Sequence, residues 1–173
     1  MAASTGSSIF SRKRDLAYML HFTIGIPIAL VMDLQAIYPP HLVPDILTSL
    51  KDFYVNTYHD QYYVNTPPFF KLFLWIELLY QVPVMIWGLG GLYRNSPKTP
   101  LVLLPFAIKV FLTTLTCMVE YSYWPLTLNQ KISLTTLYGP YLALSAFMMF
   151  DMYFRLNSMI NRQIVSAPAK KTQ

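Results

Sequence analysis

The 173-residue chain carries a single cysteine, Cys117, which excludes an intramolecular disulfide framework and a cysteine-rich metal site. Its three histidines, His21, His41 and His59, share no helical spacing, and no metal centre is expected from them. Charge is scarce too. Asp, Glu, Lys and Arg together make up 12% of the residues, against roughly a quarter in an average soluble domain. The net charge is +5, yet the basic residues scatter at segment ends and form no stripe, so no nucleic-acid partner is expected. No cofactor is called for, and no small-residue cleavage site follows the first apolar run, which argues against a signal peptide.

What the chain has instead is apolar length. Hydrophobic residues reach 54% and aromatic residues 16%, in blocks longer than soluble core helices need. Arg12, Lys13 and Arg14 precede a first run over residues 16 to 37, which carries Asp33. Residues 38 to 66 follow as the largest loop, with several prolines, aspartates and tyrosines and a short helix predicted over residues 44 to 54. A second run starts at Thr66-Pro67, read as an N-cap and first helical residue, and continues to Tyr93. Thr99-Pro100 repeats that start for a third run, which contains Lys109 and ends near Glu120. The fourth spans residues 132 to 154. Each is long enough to cross a hydrocarbon core of ~30 Å. The fold expected is an all-α membrane protein, a proline-kinked bundle of four transmembrane helices, with residues 1–14 and 156–173 as tails flanking a domain at 15–155.

Four spans put both termini on one side of the membrane. Arg12, Lys13, Arg14, Arg94, Lys98, Arg155, Arg162, Lys170 and Lys171 fall on the termini and the second loop, so the positive-inside rule predicts cytosolic termini. Lys170 and Lys171 match the dilysine retrieval signal of endoplasmic reticulum membrane proteins, a receptor-read address that needs a cytosolic C-terminus.

Glu77 is the anomaly of the second run. At ~1.5 Å per residue it sits about half-way through the bilayer, where an acid is costly unless protonated, paired or facing a cavity. One reading is a structural hydrogen bond between helices; the other is a ligand site. Asp33 lies within a turn or two of the same level, so the two carboxyls are expected to meet and share one proton, with Glu77 the neutral partner. Such a pair suits a ligand cation or hydroxyl. Glu120 is read either as a rim charge or as a solvated helix end. Pro27, Pro83, Pro105 and Pro140 put one proline in every span, which either splays the bundle around a cavity or is simply tolerated in lipid. Lys109, counted along its helix, is expected to snorkel away from Glu77 towards Asp151.

Several blocks carry a family likeness. Met32-Asp33-Leu34-Gln35-Ala36, the stretch from Pro67-Pro68 through Glu77-Leu78 to Gln81-Val82-Pro83, Thr99-Pro100, and Tyr138-Gly139-Pro140-Tyr141-Leu142 resemble the sigma-2 receptor family of EXPERA-domain transmembrane proteins. The resemblance covers residues 15 to 155. It implies a four-helix endoplasmic reticulum protein, often a homodimer, whose pocket opens to the bilayer and binds sterols and cationic amphiphiles, with a role in lipid homeostasis. It further implies that Asp33 takes a ligand amine, that Glu77 hydrogen-bonds to Asp33, and that Tyr141 forms part of the pocket wall. Asp60, Gln81, Tyr138 and Glu120 are then candidates for pocket support. Membrane lipids are the other expected partners. Emopamil-binding protein, a sterol double-bond isomerase using a histidine and glutamates, belongs to the same superfamily. Here no histidine accompanies Glu77 and His21 lies three turns before Asp33, so isomerase chemistry is the minority reading. Fungal relatives named efficient mitochondria targeting-associated proteins imply a third role, in handling mitochondrial precursors at the reticulum.

Overall fold

The computed structural model describes residues 8 to 166, and every regular element among them is helical. Lys170 and Lys171 lie outside the described residues. Helix α1 (Lys13–Val31) carries Asp15 in its first turn, where a carboxylate suits the positive end of the helix dipole. It tightens into a 3-10 turn at Asp33–Ala36, and the two together make the first of four segments long and apolar enough to span a membrane. The loop then folds into α2 (Asp45–Tyr58), one turn longer than its composition suggested, because His59 rather than an earlier residue adopts the left-handed conformation that stops it (φ 56°).

The second span changes helix type in mid-membrane. It runs as α3 (Pro68–Ile76), a π-helical stretch Glu77–Gln81, and α4 (Val82–Tyr93). Pro83 has no N–H to donate and its ring crowds the carbonyl one turn back, which loosens the helix just before it. The wider turn absorbs that conflict, the Val82 N–H reaching back to the Glu77 carbonyl. Pro27, Pro105 and Pro140 lie inside unbroken α-helix.

Two helix starts differ from expectation by one residue. Pro67 itself occupies the N-cap of α3 while Thr66 donates its hydroxyl to the Tyr62 carbonyl (2.8 Å), and Lys98 rather than Thr99 precedes α5 (Thr99–Ser122). Helix α6 (Leu128–Ser166) starts about a turn earlier and ends about three turns later than the apolar run. Its tail holds neither glycine nor proline after Pro140, so nothing in the backbone ends the helix where hydrophobicity does.

Helices α5 and α6 form an antiparallel hairpin, and α1 packs on α4. Gly88 sets the second contact: a Cβ there would lie 2.8 Å from the Phe22 ring. Tyr18, Phe22, Leu92, Leu103, Phe106 and Met152 fill the half of the bundle nearest Arg12. Leu34, Tyr62, Phe70, Leu74 and Cys117 fill the other half, under the loop. Outward-facing Leu79, Ile86, Leu112 and Phe150 stay exposed, as a lipid-facing surface requires.

Candidate functional site

A cavity of about 360 Å³ opens between the spans, walled by Ile28, Phe73, Leu74, Val110 and Leu137 and reached by Asp33, Tyr63, Glu77, Gln81, Lys109 and Tyr141. Its size falls within the range of small-molecule pockets, as does its pattern of apolar walls with a few converging polar groups.

Asp33 enters where α1 tightens into the 3-10 turn, and its Oδ1 accepts a 2.6 Å hydrogen bond from the Tyr63 hydroxyl. Glu77 opens the π-helical stretch. Its Oε1 accepts from Gln81 Nε2 at 2.6 Å, and the Gln81 carbonyl oxygen in turn accepts from Lys109 Nζ at 2.5 Å. A chain of Lys109, Gln81 and Glu77 therefore crosses from α5 to the second span.

The carboxyls of Asp33 and Glu77 line one cavity, Asp33 engaged through Oδ1 by Tyr63 and Glu77 through Oε1 by Gln81. One expectation fails here. Lys109 does not snorkel to Asp151. Its flexible stem turns into the cavity instead, while Asp151 is held by Arg14 and Arg155.

Asp60 stands behind the cavity, fully buried. Its Oδ1 caps the 3-10 turn Gln61–Tyr63 by accepting from the Tyr62 N–H (3.0 Å), and its Oδ2 accepts from the hydroxyls of Tyr54 (2.9 Å) and Tyr138 (2.8 Å). One carboxyl thus ties α2, the loop and α6 together. Burial pushes it above the usual carboxylate range, and the three donors pull it part of the way back. Burial and the neighbouring carboxylates raise Tyr54 and Tyr63, keeping both phenols protonated and donating. Tyr62 stacks on Phe70 at 4.3 Å and donates to the Cys117 carbonyl (2.9 Å), which fixes the turn that presents Tyr63.

Tyr138 and Tyr141 both reach the cavity, Tyr141 with 39% of its surface open. His21 packs edge-on against Tyr141 with ring centroids 5.5 Å apart, behind the wall. Glu120 is exposed near the end of α5 and does not line the cavity. Tyr63 is the contributor that the sequence did not single out. Its signal was a tyrosine-rich loop around Asp60, which also reads as ordinary interfacial aromatics.

Four apolar spans around an internal acidic cavity define a multi-pass helical membrane protein. The profile of EXPERA (EXPanded EBP superfamily) matches residues 46–152, and the chain belongs to that family. The match takes in Glu77, Lys109 and Tyr141 and begins after Asp33. Sigma intracellular receptor 2 of Xenopus tropicalis is 25% identical over 85% of this chain and 92% of its own. The Homo sapiens protein of that name is 28% identical over 79% of this chain and 87% of its own. Efficient mitochondria targeting-associated protein 19 of Schizosaccharomyces pombe is 30% identical over 82% and 76% respectively.

Proposed function

We propose that the cavity binds a sterol or a cationic amphiphilic lipid, and that the protein serves sterol and lipid homeostasis in the endoplasmic reticulum membrane. The observation that carries this reading is the wall itself: two carboxyl groups, each held by uncharged hydrogen-bond donors, face an apolar space within the bundle. A ligand hydroxyl or ammonium finds acceptors there, and its hydrocarbon finds Ile28, Phe73 and Leu137. Asp33 is the proposed contact for an amine, Glu77 and Tyr141 line the same space, and Gln81, Tyr138 and Asp60 hold its shape. Mass spectrometry of lipids retained by the purified protein tests this: a sterol or aminolipid in stoichiometric amount is expected. Recovery of bulk phospholipid alone sinks the reading.

The name of the fission-yeast relative favours a second role, in handling mitochondrial precursors. Loss of precursor turnover with unchanged lipid composition in cells lacking the protein would select it. Cytosolic termini belong to the same proposal. A glycosylation acceptor placed in residues 41 to 60 should be modified in microsomes and one placed after residue 160 should not; the reverse pattern inverts the topology.

A further inference from the structure

A second cavity, of about 400 Å³, lies at the opposite end of the bundle, where the start of α1 meets the α4–α5 turn and the far half of α6. We propose that it binds the phosphate of an anionic phospholipid headgroup. Three independent features support this.

The first is charge. Arg12, Arg155 and Arg162 line the cavity against one carboxylate, Asp15, which is already engaged by Arg12 and Arg155 at 2.6 Å each. The second is unmet hydrogen bonding. Among the described residues, two buried side-chain polar atoms have no partner, Nε of Arg12 and Oγ1 of Thr99, and both residues line this one cavity. Thr99 is only 4% exposed, and a buried polar atom without a partner is costly. Both atoms can donate, and although neither is open to the cavity in this conformation, a side-chain rotation would offer them to an occupant rich in acceptors. The third is the backbone. Thr99 and Pro100 begin the 24-residue α5, and the positive end of a helix dipole of that length favours an anion.

Position selects a lipid as the source. Arg155 stands about 40 Å along α6 from Leu128 at ~1.5 Å per residue, the depth of the headgroup layer across a bilayer of ~40–45 Å. Basic pockets between spans at that level recognise anionic headgroups, and Leu92, Pro97 and Met159 supply an apolar side for the glycerol and first acyl carbons.

The test uses the full-length protein in a neutral detergent, titrated calorimetrically with dihexanoyl phosphatidic acid, dihexanoyl phosphatidylcholine and inorganic phosphate. Phosphatidic acid should bind saturably at one equivalent, with phosphatidylcholine at least about tenfold weaker. Thr99→Val and Arg162→Gln should each weaken phosphatidic acid by roughly tenfold, the loss of one charge-assisted hydrogen bond. Thr99→Val keeps shape and removes an unpartnered hydroxyl, so its unliganded Tm should be unchanged or higher, which separates loss of binding from loss of fold. Inorganic phosphate binding as tightly as phosphatidic acid would overturn the lipid source and retain a phosphate site. Equal binding of phosphatidylcholine, no binding of phosphatidic acid, or wild-type affinity in the Thr99→Val/Arg162→Gln double variant overturns the proposal.

Discussion

The two ends of the bundle bury carboxylates in opposite ways. At the end nearest Arg12, every buried acid meets a guanidinium: Asp15 takes Arg12 and Arg155, while Asp151 takes Arg14 at 2.6 Å and Arg155 at 2.7 Å, with the Tyr18 hydroxyl at 3.0 Å. Arg155 bridges the two acids and so locks α1 to α6. At the loop end, the acids meet neutral donors. Asp33 has Tyr63, Asp60 has three donors, and Glu77 has the Gln81 amide. A guanidinium cancels the charge that it binds; a phenol or an amide orients a carboxyl and leaves its charge uncancelled. The first arrangement suits a fastening and the second a receptor for something polar or cationic.

The largest effect expected from breaking this contrast is at the fastened end. Asp151→Ala strands the Tyr18 hydroxyl and leaves Arg155 with Asp15 alone, and removing one member of a buried pair costs ~3–5 kcal/mol. We expect the low end, about 3 kcal/mol, because the Arg14 side chain is 65% exposed. Thermal unfolding in detergent should show the loss, with amine binding in the surviving folded fraction unchanged.

Asp60→Ala should follow, at about 2–3 kcal/mol, since it strands two phenols and one N–H in a buried place. This residue also carries a pH signature. Its folded carboxyl titrates above the ordinary value of 3.8, so over the interval between the two the folded state holds a proton that the unfolded chain has released. Stability should therefore fall as pH rises through that interval and level off above it. Asp60→Asn should flatten this slope in pH-dependent unfolding curves, whereas a substitution at the exposed Asp52 of α2 should leave it in place.

At Asp33 the effect moves from stability to binding. Asp33→Asn retains a hydrogen-bond acceptor for Tyr63 and removes the charge, so a cationic amphiphile should lose roughly tenfold to a hundredfold in affinity, or ~1.5–3 kcal/mol. A neutral sterol should lose less. Wild-type affinity for the amine in folded Asp33→Asn protein would make this end as structural as the other.

The smallest effects are expected along the chain from Lys109 to Glu77. Glu77→Gln should cost an amine ligand less than Asp33→Asn, because the Lys109 cation already reaches Glu77 through Gln81. Lys109→Met removes a tethered cation from the same cavity, so amine affinity should rise several-fold with sterol affinity unchanged. Competition binding with one amine and one neutral sterol measures both.

The spans, their number and the presence of two acids within them were legible in the sequence because each depends on local apolar length or on a single residue that violates it. Lys109 was misplaced for a physical reason. Counting residues along a helix gives the height of a Cα, and a four-carbon stem can turn either way from there. The arginines served as markers of topology, which depends only on their side of the membrane; Arg14 with Asp151 and Arg155 with Asp15 join residues about 140 positions apart and leave no periodic trace, whereas Arg12 with Asp15 and Arg155 with Asp151 are helical neighbours. Of the three donors around Asp60 only Tyr138, from the last span, is hidden for the same reason, since Tyr54 and the Tyr62 N–H lie six and two positions away. The π-helical stretch was half visible. Pro83 announced a disturbance, and the choice between a bend and a wider turn fell to the packing on either side.

That wider turn has a consequence for how the span tolerates changes in length. In a regular helix a single-residue deletion rotates everything beyond it by about 100°, which would swing Met85, Gly88 and Leu92 out of the core. Within Glu77–Gln81 the surplus residue is already stored, so losing one there restores ordinary winding while Phe70 and Leu74 on one side and Met85 and Leu92 on the other keep their phase. The second span is therefore built as two segments with slack between them, and the slack lies where the cavity takes its acid.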